Sequence, residues 1–175
     1  MSSFFSWRNF WIFWLSGLAV FGVVIVTGGP LITEVAPDGI LDHQSAGTAA
    51  KVNAIQQSWA DAGLLEHAKW SMIGDLIFIG LYTIGGIIGG RLLWQDAWSP
   101  ALKKLGLGLV VVYFIFGLTD YVETISQLVQ LINLEGSDTL AGIAAVAKPP
   151  KIATWILGTI GMIIALIWHR RQASP

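Results

Sequence analysis

The sequence predicts an all-α polytopic membrane protein, a four-transmembrane-helix up-down bundle with an extracytoplasmic amphipathic helix. Of 175 residues, 54% are hydrophobic and only 12% charged, too apolar for an ordinary soluble domain. Four predominantly apolar runs, at about 10–27, 70–93, 105–124 and 152–168, have the lengths needed to cross a hydrocarbon core of about 30 Å. Basic residues divide unevenly between the segments joining these runs. Arg8, Arg91, Lys103, Lys104, Arg170 and Arg171 collect at one end, while the long first connection, 28–69, holds five acids against Lys51 and Lys69. By the positive-inside rule both termini are cytoplasmic and that connection is extracytoplasmic. The chain, 1–175, reads as a single membrane domain.

The first run follows Arg8, a pattern shared by signal peptides and first spanning helices. It is longer and more aromatic than a signal core and no A-x-A site follows it, so it reads as an uncleaved helix. Trp7, Trp11 and Trp14, spaced i, i+4 and i+7, form an aromatic belt at headgroup level. In the connection 28–69, Val52, Ile55 and Trp59 recur at helical spacing against Lys51, Gln56 and Gln57. They predict an amphipathic helix over 46–60 that lies on the membrane surface or caps the bundle. Ala62 and Gly63 end it.

In the second run Asp75, Tyr82, Gly86 and Gly89 share a face. Gly85 with Gly89, and Gly86 with Gly90, form two overlapping G-x-x-x-G pairs that permit close helix approach, within the bundle or in a homo-oligomer. The third run carries no charge from Leu105 to Thr119, and these roughly 15 residues cover only about 22 Å. Asp120 and Glu123 therefore fall inside, or at, the far membrane boundary. With Tyr113, Gln127 and Gln130 they form one polar stripe. The segment 133–150, closed by Pro149 and Pro150, reads as a connection. The last helix is 152–168, stopped by His169, Arg170 and Arg171.

The composition excludes several functions. A net charge of −1 and the absence of a Lys/Arg run exclude a nucleic-acid partner. Zero cysteines remove thiol redox chemistry, disulfides and thiolate metal sites. There is no phosphate loop, nucleophile elbow or H-E-x-x-H, so no catalytic residue is assigned and no cofactor identity follows. The three histidines are not placed to hold a haem between facing helices. Imidazole and carboxylate ligands suit several metals, but no ligand motif joins His67 to the acids, and no metal is assigned.

The candidate ligand or ion residues are Asp75, Asp120, Glu123, Tyr82, Tyr113 and His67. The topology puts the three carboxylates at similar depth near the outer ends of their helices, with nothing basic expected beside them. Intramembrane acids are costly and commonly face a cavity or a partner. The other reading has Asp120 and Glu123 solvated at the interface and Asp75 held by Ser71, Tyr82 or backbone groups.

The loop ILDHQSAGTAAKVNAIQQSW followed by SMIGDLIFIGLY resembles a layout of small bacterial four-helix integral membrane proteins whose pattern has no known activity. The resemblance spans residues 31–93 and implies a bacterial inner-membrane setting. It draws attention to Asp75. The leading expectation is a binding or accessory membrane component that presents its cap and acidic stripe to a ligand or partner. Its surroundings are the lipid bilayer and a homo-oligomer or larger membrane complex. A proton- or cation-coupled small transporter is the alternative, and a membrane enzyme acting on lipid or quinone the third. Reporter fusions after Arg171 and within 100–104 are expected to read cytoplasm and a fusion near Ser45 the opposite side; an extracytoplasmic carboxyl terminus would overturn the orientation.

Overall fold

A computed structural model describes residues 4–172, all-helical and without a strand among them. Four helices are long and apolar enough to cross a membrane: α1 (Trp7–Thr27), α4 (Leu65–Asp96), α5 (Pro100–Asn133) and α6 (Asp138–Gln172). Two shorter helices, α2 (Ile40–Gln44) and α3 (Ala49–Asp61), lie in the long connection.

Successive long helices run antiparallel. Gly17 meets Tyr82 while Gly85 meets Trp14; Gly90 meets Gly106 while Thr124 meets Asp75; Lys151 meets Glu123 while Gly158 meets Tyr113. In each set a later residue on one helix faces an earlier one on the next. The main packing follows chain order, α1 on α4, α4 on α5 and α5 on α6. The outer members, α1 and α6, meet through long side chains. Trp7 stacks on His169 with centroids 5.3 Å apart, and the Phe21 and Trp155 rings lie 5.5 Å apart. The start of α1 and the end of α6 therefore lie at one end of the bundle, and α2 and α3 cover the other.

The bundle is apolar outside, and toward the cap α5 is polar within. On α5, Ile125, Val129 and Ile132 are exposed while Asp120, Glu123, Gln127 and Gln130 are buried. That pattern is the inverse of a helix packed in water and suits a hydrocarbon surrounding, where polar groups must find partners inside the protein.

Glycine sets the helix spacing. The two G-x-x-x-G pairs of α4 look in different directions. A Cβ added at Gly85 would lie 2.6 Å from the Trp14 backbone nitrogen on α1, and one at Gly89 would press on Phe10. A Cβ at Gly86 would sit 2.1 Å from Tyr113 Cδ1 and one at Gly90 2.7 Å from the Gly106 carbonyl oxygen, both on α5. The four glycines thus pack α4 between two neighbours of its own chain.

Every helix boundary except the end of α1 differs from the sequence reading, α4 running from 65 to 96 rather than 70 to 93, and three differences matter most. Thr48 caps α3, its hydroxyl accepting from Lys51 N at 3.3 Å, and Gly63 (φ 71) ends the turn beyond it. The helix is 49–61 rather than 46–60, with Val52, Ile55 and Trp59 buried as one face. The third run extends to Asn133, well past 124, because the whole polar stripe is buried and helical. The largest correction concerns 133–150. Here α6 begins at Asp138 and continues through Pro149 and Pro150. Proline normally interrupts a helix by removing a donor and crowding the preceding turn. This N-terminal part is anchored instead by tertiary contacts. The Asp138 carboxylate accepts from Ala49 N at 2.7 Å, Gln130 Oε1 from Ser137 N at 2.9 Å, and Ala141 and Ala144 are buried.

The cap has its own small core of Leu31, Val52, Ile55, Trp59, Met72 and Leu131. Trp59 fixes it to the chain leaving α1 by donating from Nε1 to the Leu31 carbonyl at 2.9 Å.

Replacing Gly86 with Leu is expected to destabilise the bundle by about 1–3 kcal/mol or more, since its side chain has no room beside Tyr113. Thermal unfolding in detergent checks this, with Gly108→Leu, which faces open space, as the tolerated control. Equal melting of the two variants would contradict the packing.

Candidate functional site

The site forms where the polar stripe of α5 meets Asp75 of α4 and the first half of α6. Asp120 and Glu123 lie one helical turn apart on α5 and are 2% and 0% exposed. Two buried carboxylates at that spacing repel and require a counterion. Lys151 of α6 supplies it. Its Nζ lies 2.8 Å from both Glu123 oxygens and 3.3 Å from Asp120 Oδ1. The expectation of nothing basic beside the acids was wrong because it rested on reading 133–150 as a loop. The continuous helix α6 instead carries Lys148 and Lys151 past the acids, and Lys151 turns inward.

Asp75 sits opposite. Its Oδ2 accepts from Thr124 at 3.0 Å, and no Lys, Arg or His lies within 4.0 Å of it among the described residues. Ser71, one turn earlier on the same face, has a buried hydroxyl without a hydrogen-bond partner. It does not hold Asp75, contrary to the sequence reading, and neither does Tyr82. The interfacial, solvated reading of Asp120 and Glu123 also fails, because the protein itself buries both.

Asp75 and Asp120 line one cavity of about 500 Å³. Its walls are otherwise largely apolar, with Phe21, Val24 and Ile25 of α1 on one side and Ile152, Trp155 and Ile156 of α6 on the other. Residues of the cap, among them Leu41 and Gln44, cover it. Ile25, Ile152 and Ile156 are half exposed, so the cavity opens along the seam between α1 and α6. Lys148 stands at the rim, its Nζ donating to the Leu41 carbonyl at 3.1 Å and to Ser45 Oγ.

The remaining candidates separate from this group. Tyr82 and Tyr113 form their own network nearer the terminal end and do not line the cavity. Trp14 Nε1 donates to the Tyr113 hydroxyl at 3.0 Å, Tyr113 donates to the Gly158 carbonyl at 3.1 Å, and Tyr82 pairs with Thr159 Oγ1 at 2.5 Å. Their hydroxyls are satisfied, and the cluster ties α1, α4, α5 and α6 together. His67 contacts the Thr27 carbonyl at the end of α1, away from the acids. Among the described residues no group of three or more His, Asp or Glu is arranged to hold a metal ion.

The sequence reading missed Lys151 and Thr124, and it gave His43 no place in the fold. The signal for Lys151 was present, a lone cation preceding an apolar run at the depth of the acids. His43 gave none, because its place depends on how the connection folds. It is 1% exposed, tilted against Trp59 with centroids 5.2 Å apart, and 3.2 Å from Gln56 Nε2. Burial pushes its imidazole down to about 4, so the cap holds it neutral. The chain matches no protein-family model, no curated protein and no solved structure.

Lys151→Met leaves two buried carboxylates without their cation and is expected to destabilise the fold by about 3–5 kcal/mol. Adding Glu123→Gln, which removes one of those charges, is expected to restore part of the loss. Thermal unfolding of the single and double variants measures the coupling, and strictly additive losses would show that the contact carries no energy.

Proposed function

We propose that this chain is a multipass component of a bacterial-type inner membrane that binds a membrane-borne amphiphile in the cavity between α1 and α6. In this reading both termini are cytoplasmic and the cap lies on the opposite side, as the distribution of basic residues favours. The observation that carries the binding reading is the cavity itself. It is about 500 Å³ in volume, within the range of ligand pockets, and combines apolar walls with a few converging polar groups. Its mouth lies between two helices whose flanking side chains are exposed isoleucines, so an apolar ligand can enter from lipid without crossing a polar surface. The acidic stripe, covered by the cap, is offered to a ligand inside rather than to a protein partner outside.

A second reading, proton- or cation-coupled transport, is favoured by Asp75 and Asp120 lining the same cavity. Carboxylates facing a shared interior are the usual elements of such relays.

Trp155 on the cavity wall provides the test. In nanodiscs, a dodecyl amphiphile brominated at its chain end is expected to quench part of the tryptophan emission saturably. That saturable part is expected to disappear in Trp155→Phe. Quenching that rises without saturation and is equal in both proteins would remove the binding reading.

A further inference from the structure

We propose that the cavity selects amphiphiles bearing a protonated amine, seated against Asp75 with Ser71 as a hydrogen-bond acceptor. This rests on the binding reading above and adds the chemistry of the head.

The argument starts from charge. At the inner wall Asp75 and Asp120 face Lys151, which also pairs with Glu123, a residue that does not line the cavity. That lysine is already committed, with Nζ at 2.8 Å from Glu123 and 3.3 Å from Asp120. Among the described residues Asp75 receives one side-chain hydrogen bond, from the Thr124 hydroxyl. At the rim Lys148 does not make up the difference. It is held by Ser45 and the Leu41 carbonyl, and its field is shared by Glu123, Asp42 and Asp38, in that order, rather than by Asp75. Asp75 is therefore the carboxylate left without an ion-pair partner of its own among the described residues, Lys151 reaching it only through its longer-range field.

A further side chain points to a ligand with an N–H donor. The Ser71 hydroxyl oxygen has no partner, although the residue is only 6% exposed, and it lines the cavity. A buried polar atom without a partner costs on the order of 1–3 kcal/mol, which a bound donor would recover. Among common head groups, a primary ammonium brings three donors and a positive charge. A carboxylate head would add charge of the wrong sign, and a hydroxyl would leave the charge uncompensated. The apolar walls beyond Asp75, including Phe21, Ile152 and Trp155, accept the alkyl chain.

The probe series is one dodecyl chain carrying a primary amine, a trimethylammonium, a hydroxyl or a carboxylate. Each competes with the brominated amphiphile on the full chain in nanodiscs at pH 7. The expected order is amine first, at least tenfold tighter than alcohol and carboxylate, with trimethylammonium weaker than amine because it donates no hydrogen bond. Asp75→Asn, close in size, is expected to remove most of the amine's advantage while leaving the alcohol unchanged. Because the wild-type series alone ranks the heads, the test stands even if the variant folds poorly. Equal binding of all four heads would overturn the amine selection and leave the binding reading intact, whereas no saturable binding by any head would overturn both. Displacement by ammonium chloride as effective as by dodecylamine would also overturn the proposal, since the site would then take a small cation rather than an amphiphile.

Discussion

The contact of Lys151 with Asp120 and Glu123 is the constraint around which the cap end of the bundle is arranged. Charges on apolar helices have no water to turn to in a hydrocarbon surrounding, so they must meet one another inside the protein. That requirement fixes the rotation of α5 and α6 together. With Asp120 and Glu123 turned inward, Ile125, Val129 and Ile132 necessarily face outward, and the last helix must carry Lys151 to the same depth. Its extension to Asp138, through two prolines, places that lysine on a helix whose beginning is pinned to α3 and α5.

The two halves of the bundle solve the packing problem differently. Toward the termini, glycines bring backbones together and a Trp14, Tyr113, Tyr82 and Thr159 network closes the interior with hydrogen bonds. Toward the cap, larger charged and aromatic side chains hold the helices apart. The result is a cavity bounded by a dense, satisfied layer below and a folded cap above. A rigid lower half fixes the positions of Asp75 and Asp120, while the opening lies along the seam where α1 and α6 are joined by long side chains alone.

The cap also has an electrostatic condition. His43 is buried against Trp59 and kept neutral, so the segment above the acids brings no cation from its core. The compensating charge for Asp120 and Glu123 comes from α6, and Asp75 is left with the Thr124 hydroxyl.

How much was legible in the sequence can be judged from particular residues. Apolar run length and composition determined four long helices, since a segment that cannot be solvated must satisfy its own backbone, and helical spacing determined the buried face of α3 at Val52, Ile55 and Trp59. The spacing of Asp120, Glu123, Gln127 and Gln130 determined one polar stripe, and the α4 glycines marked positions of close approach. Tertiary structure alone decided which neighbours those glycines face, that Tyr82 and Tyr113 belong to a closed network, and that His67 lies apart from the acids. It also decided that Pro149 and Pro150 continue a helix and that Lys151 reaches the carboxylates. The physical reason is that a helix's own periodicity specifies which residues share a face, whereas a partner's identity depends on depth and rotation. Those are set jointly by all the helices when charges about 28 residues apart in the chain are forced into one interior.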